Sequence, residues 1–521
     1  MEMEKKQTAE VWARRAGTVY AAAVLFWLPL YLYNGYLQLI DGKAALFYFF
    51  TILCGAFVCV CLARAGRMGC GRDFSFLWLL GLCAVYGVST LLSPDTHTAF
   101  WGLAGRDNGF LMLLMCSAGY FIVKSTVRTA DVRFLLVAFL AGAVCTAAVG
   151  WLNYFMCDPF DVYYAVPPQE GHVFLSTVGN TNFFGGLMAM SAPAALYACA
   201  HAEKKRALYG YGAAAAVLCG ALIPAGSDGA WFGFIIAAGV LLCAKKAGPR
   251  QAARIFAVGG CVFLIGGVTG LAAAALPVRG PLRTLSALIC RPQAAVVGGI
   301  VCGLLFLWLR RREKSSAVLF RWLAAAAAAG LVLLLIAANC TALPLGGLED
   351  LLRFGPRWGS NRGYVWDRLC YLFGQELTPL QRLIGVGADG VDALLNPHYT
   401  AYITAMNGST FDSAHNVYLQ QLLCGGILGA VCWCGFWAGR IKDAVRAASF
   451  AAPVLAAYAV QAFFSIDMPA VLPLAFVLAA LAHLPAAQPA PLEENKKMAI
   501  GTAVLGAAGM FFAPALLKLW L

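Results

Sequence analysis

Residues 44–63 read Ala44-Ala45-Leu46-Phe47-Tyr48-Phe49-Phe50-Thr51-Ile52-Leu53-Cys54-Gly55-Ala56-Phe57-Val58-Cys59-Val60-Cys61-Leu62-Ala63, without one charged side chain, bounded by Lys43 and Arg64. Wound as a helix at about 1.5 Å per residue, the run reaches about 30 Å, the thickness of a bilayer's hydrocarbon core. It reads as a membrane span at 43–63. Similar stretches lie near 17–40, 74–93, 109–124, 131–157, 180–200, 207–226, 229–244, 253–276, 292–309, 322–341, 414–438, 449–466, 470–485 and 499–517. The last also reads as a loose C-terminal anchor. The pattern predicts an all-α polytopic integral membrane protein with about 14 (12–15) transmembrane helices.

Composition agrees. Of 521 residues, 61% are apolar and 12% charged, and the mean hydropathy is +0.74. Soluble chains carry about 45–50% apolar and about 25% charged residues. A soluble chain of this length needs polar surface that is missing here, which excludes a cytosolic enzyme, a secreted protein and a disordered scaffold. The 19 cysteines fall mostly inside apolar runs, where they act as small hydrophobes, and none forms a zinc-type CxxC pair. Lys5, Lys6, Arg14 and Arg15 precede the first apolar run without an A-x-A-like cleavage site, so that run is expected to stay as an uncleaved first span.

The net charge of +13 suggests a polyanion partner at first sight. Its distribution argues against nucleic acid. With the N-terminus cytoplasmic, 27 of the 38 basic residues fall on the inner side, in short clusters between apolar runs, as the positive-inside rule requires. The outer side then holds 11, five of them in the stretch 342–413, and also His97, His172, His398 and His415. That stretch carries Trp358, Trp366, Leu369, Leu372 and Phe373, so it is expected to be structured. The chain reads as a single membrane domain, 1–521, with 342–413 as a long extracytoplasmic loop that contains short amphipathic helices and part of a site.

Six segments carry candidate chemistry. In Asp412-Ser413-Ala414-His415-Asn416, Asp412 or Ser413 can cap a helix that places His415 in its first turn, above a stripe formed by Gly426 and Gly429. A neutral imidazole beside an anion site suits a general base; an interfacial His reaching for water is the alternative. In Ser360-Asn361-Arg362, the residues Arg362, Trp366, Leu369 and Phe373 recur at helical spacing. Arg362 there can grip phosphate oxygens, or simply lipid headgroups. Gly385-Val386-Gly387-Ala388-Asp389-Gly390 matches GxGxxG, but without a strand–helix setting it reads as a turn packed near the site. Arg106 stands beside Asp107, which can balance it. Asn180 and Asn182 open a span, as caps or as ligands for sugar hydroxyls. Asp228 sits in the short turn Gly226-Ser227-Asp228 and reads as a turn residue. The chain has no P-loop, no HExxH and no Asp-x-Asp pair, which predicts no metal and no cofactor.

Together these segments resemble the O-antigen ligase family, related to O-antigen polymerases and protein O-oligosaccharyltransferases. The resemblance rests on His415-Asn416 followed by Gly426 and Gly429, on the loop-helix start at Arg362 with Trp366, on Gly385-Val386-Gly387, on Gly179-Asn180-Thr181-Asn182 and on Arg106-Asp107-Asn108-Gly109. It implies transfer of a glycan from an undecaprenyl-diphosphate donor to an acceptor hydroxyl, on a lipid, a protein or a polysaccharide, at the outer face of the bacterial cytoplasmic membrane. It also implies His415 as the base, a diphosphate-binding role for Arg362, and no metal. Arg106, Asn416, Asn180 and Asn182 are the further substrate-binding candidates. One departure stands out: many members have Ser-Arg where this chain has Ser227-Asp228. Arg106, Arg362 or neighbours such as Arg357 then have to supply the charge, or the donor or acceptor differs. A polysaccharide polymerase is the alternative within the superfamily, and a lipid-linked glycan flippase the alternative of another class.

Overall fold

The computed structural model describes residues 2–67, 74–245, 247–346, 349–407, 410–486 and 492–520. Arg72 and Lys246, two of the inner-side cations, lie outside the described residues, as does the side chain of His398. The first half forms α1 (Glu2–Leu30), α2 (Leu39–Arg64), α3 (Phe74–Leu91), α4 (Thr96–Trp101), α5 (Phe110–Thr126), α6 (Val132–Tyr154), α7 (Thr181–Ala200), α8 (Lys205–Gly220), α9 (Leu222–Ala225), α10 (Asp228–Cys243) and α11 (Pro249–Ala275). Then come α12 (Thr284–Ile289), α13 (Pro292–Arg310), α14 (Ala317–Cys340), α15 (Glu349–Leu352), α16 (Trp358–Tyr371), α17 (Pro379–Ile384), α18 (Val391–Asn407), α19 (Val417–Cys424), α20 (Gly426–Arg446), α21 (Ala451–Ala462), α22 (Leu472–Ala480) and α23 (Leu492–Trp520). The sheet content among the described residues is one two-residue pair, Phe174–Leu175 with Gly179–Asn180.

Every apolar stretch named above contains a helix. Among the described residues nine helices are long and apolar enough to cross a membrane, and α5, α10 and α21 are shorter apolar ones. The fold is therefore an all-α polytopic membrane protein. Two stretches differ from their sequence outline. The first span does not run to residue 40: α1 stops at Leu30, one residue past Pro29, and the chain turns through Asn34 and Gly35, both at positive φ. Lys43 secures this end. It is fully buried and its ammonium donates to the carbonyls of Leu28 (2.7 Å), Pro29 (3.1 Å) and Tyr31 (2.8 Å), groups that a helix end leaves unbonded. The second is 414–438, which forms two helices rather than one, because Gly426 adopts φ +65° between α19 and α20.

Burial separates centre from rim. In α7, 89% of the apolar window is buried, against 6% in α14. The small residues of α7, with Gly185, Gly186 and six alanines buried, let neighbours approach closely where apolar burial alone gives no net attraction in lipid. The helix contacts α6, α8, α10 and α21. The two ends of the bundle differ in chemistry. At one, Arg14 grips Asp131 (2.7 Å), Arg15 grips Glu494 (2.9 Å), and Arg254 donates to the carbonyls of Cys199, Ala200 and Ala202 at the end of α7. At the other lie α4, α12 and α15–α18 with the starts of α7, α10 and α19.

Candidate active site

The His415 segment is shaped by its helix cap. The cap is Asn416, not Asp412 or Ser413: its side-chain oxygen accepts from Leu419 N (3.1 Å), while Gln420 Oε1 reaches back to Ala414 N (2.9 Å). This reciprocal pattern satisfies free N–H groups on both sides of the helix start. His415 therefore precedes the helix instead of sitting in its first turn, and its backbone is left-handed at φ +48°. Trp366 Nε1 donates to Ala414 O (2.7 Å), and the Phe411 ring meets the imidazole edge-on at 5.1 Å. The half-buried ring is thus oriented by its flanks, while among the described residues its own nitrogens make no hydrogen bond.

The glycine stripe does not face His415, since the helix breaks between them. Gly385 and Gly426 serve a different contact. A Cβ on Gly385 would lie 2.1 Å from Cys424 O, and one on Gly426 would lie 2.4 Å from the backbone of Leu383 and Ile384. Both sit at positive φ, which a glycine adopts without penalty. The turn then adds Val386 N→Leu423 O and Gly387 N→Cys424 O, both 3.1 Å.

That turn delivers Asp389, and Asp389 holds the loop of Arg106. Its Oδ2 accepts from Leu103 N (3.1 Å) and Asn108 N (3.2 Å). Asn108 in turn donates to Asp467 O (3.2 Å). The partner of Arg106 is Asp412, three residues before His415, through Nε–Oδ2 at 2.6 Å and a second contact between Nη2 and Oδ1. It is not Asp107, the neighbour that sequence offered. Asp107 turns toward Asp41, and burial with that carboxyl contact pushes it up to about 8. Burial likewise raises Asp467 to about 7; its Oδ1 accepts from Tyr458 (2.7 Å) and its Oδ2 has no partner among the described residues.

Arg362 approaches from α16. Residues Gly359, Ser360 and Asn361 are left-handed, so the regular helix begins at Arg362 itself. Val365 and Leu369 face inward, and Trp366 points at the His415 segment. The Arg362 guanidinium donates through Nη1 to its own turn at Gly359 O (3.0 Å), and its buried Nε has no partner among the described residues. Burial and the nearby Arg283 charge lower its pKa. His415 is held well below the usual histidine range, first by burial, then by the Arg362 and Arg106 charges. The fold brings these elements together: Arg106 pairs with Asp412, three residues before His415, and Trp366, one turn on from Arg362, donates to Ala414 O.

The asparagines divide. Asn416 is committed to its cap. Asn180 caps α7, accepting from Asn182 N (2.8 Å). Asn182 accepts at its carbonyl from Gln461 (3.4 Å), and its side chain makes no hydrogen bond among the described residues. Sequence reasoning missed the aromatic hub that joins these elements. Phe463 lies 5.4 Å from Trp366 and 6.4 Å from Tyr418; Phe464 lies 5.7 Å from Phe232 and 6.4 Å from Trp358. It also missed Asp389, although an acid inside a glycine-rich turn was a visible signal, and Asp467, for which no local signal exists.

Among the described residues no group of three His, Cys, Asp or Glu side chains is placed to hold a metal ion. Residues 284–434 match the family model described as O-antigen ligase. No curated protein matches the chain. The matched segment spans Arg362, Asp412, His415 and Asn416; Arg106, Asn180 and Asn182 lie before it. Members of this family are glycosyltransferase-type enzymes of the ligase and polymerase kind, which work on lipid-linked glycans and an acceptor at the bacterial inner membrane. Over this segment the multi-pass chain is similar to the O-antigen ligase family.

Proposed function

We propose that the protein transfers a glycan from an undecaprenyl-diphosphate donor to an acceptor hydroxyl at the outer face of the inner membrane, by inversion and without a metal. The observation that carries this reading is an imidazole that makes no hydrogen bond among the described residues and whose protonated form is disfavoured by burial and by the Arg362 and Arg106 charges. His415 takes the proton of the acceptor hydroxyl as its oxygen attacks the anomeric carbon. The bond from that carbon to the diphosphate oxygen breaks, and the electron pair leaves on the phosphate. Arg362, which has no carboxylate partner among the described residues, is suited to take up that charge. Arg106 serves differently: its pairing with Asp412 places its charge beside the histidine and ties the 102–109 loop to the His415 segment. In this reading Asn182 offers its free amide to sugar hydroxyls, the N-terminus is cytoplasmic and 342–413 is extracytoplasmic.

The test is transfer by the purified protein from a labelled lipid-diphosphate glycan to an acceptor. General base catalysis contributes about 10²–10⁴-fold, so His415→Ala should lower the rate by that factor at unchanged abundance. Full activity in that variant, or loss of wild-type activity in EDTA, would sink the mechanism. Movement of the lipid between leaflets without transfer would replace it with a flippase.

A further inference from the structure

Two helical stretches are interrupted, and both interruptions border one cavity. α19 stops at Cys424 and α20 starts at Gly426; α21 stops at Ala462 and α22 starts at Leu472, with 463–471 irregular between them. Irregular backbone within a membrane bundle is tolerated where protein covers it or where it lines a polar cavity. Broken helices that meet at such a cavity are a recurrent setting for small cations. The cavity here measures about 410 Å³, its solvent-filled mouth included, and has room for about two water molecules. Its polar wall is formed by Asn108, Asp389, Gln420, Gln421 and Asp467, with Tyr86 and Cys424 beside them.

Hydrogen bonds fix where the two carboxylates stand. Asn108 joins them: its backbone N–H donates to Asp389 Oδ2 (3.2 Å) and its side-chain amide donates to Asp467 O (3.2 Å). Both aspartates are more than nine-tenths buried, at 7% and 8% exposure. Asp467 Oδ1 accepts from Tyr458 (2.7 Å), and its Oδ2 is buried without a hydrogen-bond partner. Asp389 Oδ2 accepts a second N–H from Leu103 (3.1 Å), and its Oδ1 makes no hydrogen bond among the described residues. Neither carboxylate has an ion-pair partner there. Arg106, the nearby cation, is engaged with Asp412 and turns its Nη1 to Met468 Sδ (3.9 Å).

A buried carboxylate without a counter-charge is costly, and either a proton or a cation relieves it. The wall offers a cation what it needs. Its donors are carboxylate and amide oxygens, a set that suits a hard ion. Tyr86 donates to Gln421 Oε1 (2.6 Å), which leaves that oxygen a second lone pair, and Asn108 Oδ1 accepts nothing among the described residues. The C-terminal end of α19 at Cys424 adds partial negative charge. The two N–H groups on Asp389 offset part of its charge, so what remains is close to one unit, which favours a monovalent ion over a divalent one.

We propose that this cavity binds a small monovalent cation such as Na⁺, held by the carboxylates of Asp389 and Asp467 and by the side-chain oxygens of Asn108 and Gln421. The ion clamps the 102–109 loop and the Gly385 turn to the irregular 463–471 segment. Gln420, on the same wall, reaches Ala414 N (2.9 Å) beside His415, so the ion steadies the site without touching a substrate. The inference does not draw on the transferase reading, and it leaves the reacting atoms free of metal.

The experiment uses the full chain in phosphatidylcholine nanodiscs with Na⁺ as the probe. Binding of radiolabelled Na⁺ is measured, and thermal melts replace N-methylglucamine by Na⁺ at fixed ionic strength. The expected result is a single saturable site and a midpoint that rises with Na⁺. Asp467→Asn keeps an oxygen for the Tyr458 hydroxyl but loses the charge, so Na⁺ affinity should fall about tenfold or more and the melt should lose its response. Asp389→Asn should act in the same direction, and it carries the variant test if the Asp467 protein does not fold. Asp228→Asn, outside the cavity, should bind Na⁺ as the wild type does. Equal wild-type midpoints in Na⁺ and N-methylglucamine without saturable binding would overturn the proposal and leave the cavity to a proton or to water. A midpoint that responds to Mg²⁺ or Ca²⁺ but not to Na⁺ would overturn it as well, as would unchanged Na⁺ affinity in the folded aspartate variants. Na⁺ binding by a protein that transfers no glycan would sustain this inference while the transferase reading fell.

Discussion

At the scale of single residues, the pH dependence of His415 follows from its surroundings. A histidine titrates near about 6.5 in water. Burial and the Arg362 and Arg106 charges lower that value here, so the neutral, working form persists as pH falls. The acid limb of the pH–rate profile should therefore lie below about 6.5. Arg362→Gln removes one repelling charge, and the limb of its residual activity should move up toward the free value. Stability carries the same sign. Below about 6.5 the unfolded chain takes up a proton that the native state refuses, so the fold weakens as pH drops through that range. Asp107 acts in the opposite sense: its raised pKa means that the native state keeps a proton which the unfolded chain releases, so stability is lost as pH rises toward about 8. Lys43 makes a residue-scale prediction of another kind. Lys43→Met strands three buried carbonyls, and an unsatisfied buried group costs about 1–3 kcal/mol, so a marked fall in the thermal midpoint is expected in a detergent-solubilised melt.

At the scale of elements, the site depends on a glycine-rich turn seated in a broken helix. Gly385→Ala puts a methyl group into the Cys424 carbonyl and forces a side chain onto left-handed backbone. The backbone penalty alone is about 1–3 kcal/mol, and the clash adds to it. The expected result is reduced monodisperse protein in size-exclusion chromatography, with activity lost in what remains because Asp389 and the Arg106 loop shift with the turn. Much of this element was visible beforehand. The recurrence of Arg362, Trp366 and Leu369 at helical spacing marked α16, and Asn416 was named among the site residues. What local reading missed was the break. Gly426 and Gly429 were assigned to a packing stripe on a continuous helix, because a helical wheel assumes unbroken helical dihedrals and cannot register φ +65° at Gly426. The placement of His415 in a first turn failed for the same reason.

At the scale of the whole molecule, the inner-side bias of Lys and Arg predicts a topology that a reporter can read. Alkaline phosphatase joined after Gly374 should be active, and a fluorescent protein at the N-terminus should fluoresce; the reverse pattern would invert the orientation and place the His415 end in the cytoplasm. The ion pairs Arg14–Asp131 and Arg15–Glu494 show that part of this basic excess also ties helices together at one end of the bundle. Apolar runs alone determined that the chain is a multi-pass helical protein, because a bilayer demands long uncharged stretches whose backbone groups bond within each helix. The order of short motifs carried the resemblance to the O-antigen ligase family, whose model matches residues 284–434. Only the tertiary structure decided which charges meet. Arg106 pairs with Asp412 across 306 residues, Asp389 holds a loop 281 to 286 residues away, and Asp228 secures the loop of Arg283 57 residues on. Charge pairing depends on distance in space, and in a helical bundle that distance is set by how the helix ends pack, which no local pattern in the sequence encodes.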